Sequence, residues 1–147
     1  MKRLFAAILI LCMIPAVSFA APVGRELFEY LFLQYWEAFG LPSTPDEFKR
    51  ESETYYTTDE FVVNIIYDSN ENPTTAISLY YKDFDFDFIT YNLTMIRPLF
   101  DDEYEDAFLM SMATFKNGKG YWETSDGKGS VSITREKDYI SVFVFKR

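Results

Sequence analysis

From Glu60 onward apolar and polar side chains alternate with a period of two, the spacing of strands that bury one face. Glu60–Asp68 reads as a strand, Ser69–Pro73 as a turn, and Thr74–Lys82 as a second strand. Asp83–Ile96 continues the alternation, with Asp83, Asp85 and Asp87 set between Phe84, Phe86 and Phe88. It is predicted as a third strand, with the three phenylalanines in the core and Pro98 as its stop. Three strands on short connections predict an antiparallel meander. The spacing then turns helical over Leu99–Lys116, where Phe100, Tyr104, Ala107, Phe108, Met112 and Phe115 supply the buried side. Asp101, Asp102, Glu103, Glu105 and Asp106 crowd its first turns, where the positive end of the helix dipole favours them. Three further strands follow at Gly120–Thr124, Gly129–Arg135 and Asp138–Lys146, with turns at Asp126–Gly127 and Arg135–Asp138. In the last of them Ile140, Val142 and Val144 face one way and Tyr139, Phe143 and Phe145 the other. That strand is predicted to be buried on both faces, inside the sheet.

Upstream of Glu60 the pattern is helical. Over Gly24–Pro42, Leu27, Leu31, Gln34, Tyr35 and Ala38 share one side, with Phe28, Phe32 and Phe39 beside it. So wide an apolar face means either a helix clasped by the core on two sides or an aromatic surface for a partner or lipid. Thr44–Tyr56 is predicted as a short, mostly exposed helix, opened by a Thr44/Glu47 capping box with Pro45 at the first helical position. The fold class is therefore α+β: a mostly antiparallel sheet of about six strands with helices packed on one face, in the order α-α-β-β-β-α-β-β-β. The order also hints at a loose duplication of helix plus meander. It resembles that of small secretion-chaperone-like α+β domains, but no motif accompanies the order, and a fold alone does not carry a function.

The first twenty residues change the picture of where the chain works. Lys2 and Arg3 precede an apolar run over Leu4–Ile14, Pro15 breaks it, and Ser18 and Ala20 are the small residues of a signal-peptidase site. The run is too short for a stable membrane anchor. Leu11 stands before Cys12, where a lipidation signal needs a small residue. The expectation is a cleaved signal over 1–20, a single domain over 21–147, and a periplasmic or extracellular protein with no transmembrane segment. Cleavage removes the one cysteine, so no disulfide forms. It also removes Lys2 and Arg3, leaving 12 basic against 23 acidic residues and a net charge of −11. Such a balance argues against nucleic acid and anionic membranes, and suits either a basic protein partner or a merely solvated exterior.

Composition prunes the chemistry further. The chain has no histidine, so the commonest general base and the Ser-His-Asp and Cys-His machineries are gone. A zinc site would have to be all-carboxylate, and neither a P-loop nor a dinucleotide fingerprint is present; no cofactor is expected. Ser125-Asp126-Gly127-Lys128 matches Ser-x-x-Lys, but as a turn between strands it lacks that motif's helical context. Asn92-Leu93-Thr94 is a glycosylation sequon. Glu123 beside Tyr121 and Trp122 is the neighbourhood closest to a glycan site, since aromatic rings stack on sugars, yet no second carboxylate completes a glycosidase pair.

The three aspartates are the remaining metal candidates. Asp83-x-Asp85-x-Asp87 imitates the start of an EF-hand loop, but Phe88 and Thr94 occupy the positions that need glycine and glutamate. On a strand, alternate residues stand roughly 6.6–7 Å apart, too far for three carboxylates to share one calcium. The expectation is a non-enzymatic binding protein, in the manner of an inhibitor or accessory chaperone. Its partner surface would comprise Asp83, Asp85, Asp87, Tyr121 and Trp122. The alternatives are a carboxylate-dependent glycan hydrolase or glycan-binding module, and a structural envelope-associated domain.

Overall fold

In the computed structural model the described residues are 30, 31, 34, 37, 38, 49–51, 54–56 and 60–147. They form an α+β fold built on one antiparallel sheet. Five longer strands make its body: β3 (Phe61–Tyr67), β4 (Pro73–Tyr80), β5 (Lys119–Glu123), β6 (Gly129–Arg135) and β7 (Ile140–Lys146). Two three-residue strands, β1 (Lys49–Glu51) and β2 (Thr54–Tyr56), extend it beyond β3. The order across the sheet is β1-β2-β3-β4-β7-β6-β5. Two helices, α1 (Phe86–Leu99) and α2 (Asp102–Ala113), connect β4 to β5. Two meanders, β2-β3-β4 and β5-β6-β7, thus meet back to back where β4 pairs with β7.

Two of the predicted elements are overturned. Lys49–Glu51 and Thr54–Tyr56 are paired strands, with Thr54 opposite Asn64, where a helix was expected over Thr44–Tyr56. The edge of β3 offers Thr54–Tyr56 backbone partners, Lys49–Glu51 pairs in turn with them, and pairing overrides local helical preference. The capping box at Thr44 and Glu47 lies outside the described residues, as do the first twenty residues. Of the upstream helix, Tyr30, Leu31, Gln34, Glu37 and Ala38 are helical. Leu31 is half-buried against the core while Gln34 and Ala38 are exposed, so the apolar face is narrower on that side than the sequence suggested.

The second correction concerns Asp83–Ile96, which is not a strand. Asp85 caps α1, its carboxylate accepting the Phe88 N–H at 2.8 Å. From Phe88 to Leu99 every residue but Ile89 and Arg97 is buried. Phe88, Tyr91, Asn92, Met95, Ile96 and Leu99 follow the i, i+3, i+4, i+7 rhythm of one helix face, and Thr90, Leu93, Thr94 and Pro98 are buried on its other sides. Asp87 sits in the favoured first turn and Arg97 in the last. Pro98 falls inside the final turn rather than ending a strand. Of the three phenylalanines expected in the core, Phe88 is buried, Phe84 half-buried and Phe86 exposed.

The helix α2 matches its sequence pattern, with Tyr104, Ala107 and Phe108 buried beside Ser111. Its Asp101 cap accepts the Glu103 N–H at 3.2 Å. Two glycines let it lie close on β5 and β6. A Cβ at Gly120 would stand 2.1 Å from the Ser111 carbonyl oxygen, and one at Gly129 would stand 2.2 Å from the Tyr104 hydroxyl. The core fills the space between helices and sheet: Phe61, Val63, Ile65, Ala76, Tyr80, Val131, Ile133, Ile140, Val142 and Val144 from the strands are all essentially inaccessible.

Candidate functional site

Register partners in a sheet project to the same side, so the pairings sort the strand residues onto two faces. Val63, Ser78, Val142 and Ile133 share the face under the helices. The opposite face carries three rows of five residues across β3, β4, β7, β6 and β5. The first is Ile66, Thr75, Phe145, Ser130 and Glu123; the middle one is Asn64, Ile77, Phe143, Ser132 and Tyr121; the third is Val62, Leu79, Ser141, Thr134 and Lys119. Ile66 (46% exposed), Phe143 (39%), Phe145 (37%) and Tyr121 (54%) are open to solvent. Phe143 and Phe145 stack, ring centroids 6.4 Å apart with 17° between planes. Strand β7 is therefore central, as expected, but buried on one face only. Over these five strands only Lys119 and Glu123, both on edge strand β5, are charged, and the register through β2 to β1 adds Glu51 to the middle row and Lys49 to the third. In a chain of formal net charge −9, this is a neutral, partly aromatic surface.

The residues singled out in the sequence do not form one surface. Tyr121 lies on the open face, its hydroxyl donating to Glu123 Oε1 at 2.8 Å. Trp122 pairs with Val131 and projects to the helix side, so no aromatic groove joins it to Tyr121. Asp83, Asp85 and Asp87 form no carboxylate row. Asp83 pairs with Arg135 at 2.9 Å. Asp85 accepts the Tyr80 hydroxyl at 2.9 Å as well as capping α1. Tyr80 is buried, and desolvation, reinforced by Asp85, raises its pKa far above that of an ordinary phenol. Among the described residues no three Asp, Glu, His or Cys side chains gather as a metal site.

The other candidates resolve as structure. Asn92 is fully buried, donating to the Phe88 carbonyl at 2.8 Å and accepting from Ser78, so its sequon is inaccessible in the folded chain. In the Ser125–Lys128 turn, Asp126 binds the Lys128 N–H at 2.8 Å and its ammonium at 3.0 Å. The backbone and side-chain hydrogen bonds from Lys128 hold the Asp126 carboxyl at about 2. A cleft of about 250 Å³ opens where β4 runs into α1 beside the β6–β7 turn, lined by Tyr81, Asp83, Arg135 and Tyr139 among others. Of its charges, Lys82 pairs with Glu60 and Arg135 with Asp83, and Arg135 also lies 5.2 Å from the centre of the Phe84 ring; Glu136, Lys137 and Asp138 complete the charged lining. The Tyr81 and Tyr139 rings meet edge-on at 6.0 Å, offering no flat pair for a sugar to enter.

Phe143, Phe145 and Ile66 are the surface residues that the sequence reading did not select. Their signal was a strand apolar on both sides beside Ser130, Ser132 and Thr134, but alternation alone cannot say which side helices cover. Among the described residues no helix is long and apolar enough to cross a membrane. No protein-family model, curated protein or solved structure matches this chain.

Proposed function

We propose that this is a non-catalytic binding protein, exported from the cytoplasm, that engages a protein partner through the open face of its sheet. The observation that carries this reading is the neutral face bearing stacked Phe143 and Phe145 with Ile66 and Tyr121, all more than a third exposed. Exposed apolar side chains gathered on one uncovered sheet face are the kind of surface through which soluble proteins make contacts. The N-terminal pattern of the sequence supports export, and the absence of histidine supports a role without acid–base chemistry. Recognition through the aspartates is a second reading, favoured by the exposure of Asp83 and the net negative charge.

Capture from the native host's extracytoplasmic fraction separates the two. Bait protein, a Phe143→Thr/Phe145→Thr variant and an Asp83→Asn/Asp87→Asn variant are compared at low and high salt. The open-face reading expects a partner that survives high salt and the Asn substitutions but is lost with the Thr substitutions, because apolar contacts are not screened. A partner lost at high salt and with the Asn substitutions favours the acidic surface instead. Capture unaffected by either variant contradicts both.

A further inference from the structure

We propose that the occupant of the open face is a second copy of this chain, packed sheet against sheet about a two-fold axis running along the middle row, Asn64–Ile77–Phe143–Ser132–Tyr121. The inference rests on reading that face as the interaction surface, and goes further by naming what covers it. Charge makes the first selection. Two copies of a chain of formal net charge −9 repel each other, and the opposing repulsion is least where the contact itself carries no net charge. Over the five longer strands the three rows hold one lysine and one glutamate, Lys119 and Glu123; continued through β2 and β1 they add Glu51 and Lys49, again one charge of each sign.

The placement of these two residues makes the second selection. They lie on the same strand and face, with Tyr121 midway between them. A two-fold axis along the middle row reverses β5 over its own copy, so Glu123 lies over the partner subunit's Lys119 and Lys119 over the partner subunit's Glu123. The same operation sets Phe143 over the partner subunit's Phe143 and exchanges the outer rows. Ile66 then meets the partner subunit's Val62, and Phe145 meets the partner subunit's Ser141. A face that complements itself in charge and shape is what an isologous dimer requires. An axis along the strands instead carries β5 over β3, leaving both charges against Val62 and Ile66.

Size makes the third. Five strands span about 24 Å, and about six residues along each strand span about 20 Å, giving a footprint of about 480 Å² per copy before side-chain relief. Twice that, with relief added, reaches the low end of the range for specific protein interfaces, so a reversible dimer in the micromolar range is expected. Aligned sheets packed about 10 Å apart leave room for interleaved Phe and Ile side chains.

Sedimentation equilibrium on the purified protein, up to about 100 µM, tests the proposal. The chain should dimerise, Phe143→Thr should leave it monomeric, and Lys119→Glu or Glu123→Lys alone should each weaken association about tenfold through paired like charges. The double swap Lys119→Glu/Glu123→Lys should restore association to within about threefold of the parent. Circular dichroism of each variant checks that it is folded. A chain monomeric throughout, or a double swap no tighter than the single ones, overturns self-pairing. If the monomeric chain still captures another protein in a Phe143- and Phe145-dependent way, self-pairing falls while the open-face reading stands.

Discussion

The two faces of the sheet are made by neighbouring residues and have opposite fates. Ile65 is inaccessible under the helices, whereas Ile66 beside it is nearly half exposed; Val142 is buried and Phe143 is not. Side-chain chemistry does not separate the members of these pairs, since all four are apolar. What separates them is the placement of α1 and α2: Asp85 caps α1 at its start, and Gly120 in β5 and Gly129 in β6 let α2 lie close on that side. The sheet therefore carries one apolar face that is covered and one that is open, and the difference between them can be tested directly.

The largest effect should come from truncating the covered face. Ile65→Ala should cost about 2–5 kcal/mol in denaturant unfolding, through lost transfer energy and a residual cavity. Ile66→Ala, one residue along, should cost about 1 kcal/mol or less, the scale of a cross-strand pair. Similar losses at both positions would break the comparison. Next in size is Gly120→Ala, expected to destabilise by about 1–3 kcal/mol because the new methyl meets the Ser111 carbonyl and α2 must shift.

A smaller effect should separate the aspartates. Asp85→Ala removes the helix cap and the acceptor of the buried Tyr80 hydroxyl, and should cost about 1–3 kcal/mol. Asp83→Ala removes a largely exposed ion pair and should change stability by about 1 kcal/mol or less. Equal effects would mean that the cap is not what sets α1 on the sheet.

The smallest effect concerns pH. Burial, the largest influence, and then nearby Asp101, push the Tyr104 hydroxyl up to about 12. An acid whose folded pKa is raised contributes stability that is complete below its unfolded value, near 10, and lost as pH rises toward 12. The unfolding midpoint should therefore fall between pH 10 and 12. Tyr104→Phe should make that decline shallower, though Tyr80 and Tyr91, raised for the same reason, will maintain part of it. A decline unchanged in Tyr104→Phe would mean that its hydroxyl ionises as readily in the folded chain as in the unfolded one.

Much of the fold is legible in the residues. Strands β3 to β7 and helix α2 follow from period-two and helical spacing, because each buries a consistent face. The strand expected over Asp83–Ile96 is a helix from Phe86 onward: the alternation is conspicuous but runs for only six residues. The rhythm of Phe88, Tyr91, Asn92, Met95, Ile96 and Leu99 behind it is longer, and contains a polar Asn whose burial depends on Ser78 from another strand. Asp85 then acts as a cap instead of one rung of a ladder. The short strands Lys49–Glu51 and Thr54–Tyr56 were hidden because each is only three residues long, too short to show a period of two, while their charges and the capping box before them are local helix signals. The open face was hidden for another reason. Phe143 and Phe145 look like core in sequence, and only the register with Ser130, Ser132 and Ile77 reveals them on the side away from α1 and α2.

The most direct test of the central claim, that one face stabilises and the other binds, measures stability and association together in the Phe143→Thr/Phe145→Thr variant. The account expects a folded chain, destabilised by about 2 kcal/mol or less, that no longer associates with its partner. Association retained at the parent's strength, or a loss of stability as large as that of Ile65→Ala, would contradict it.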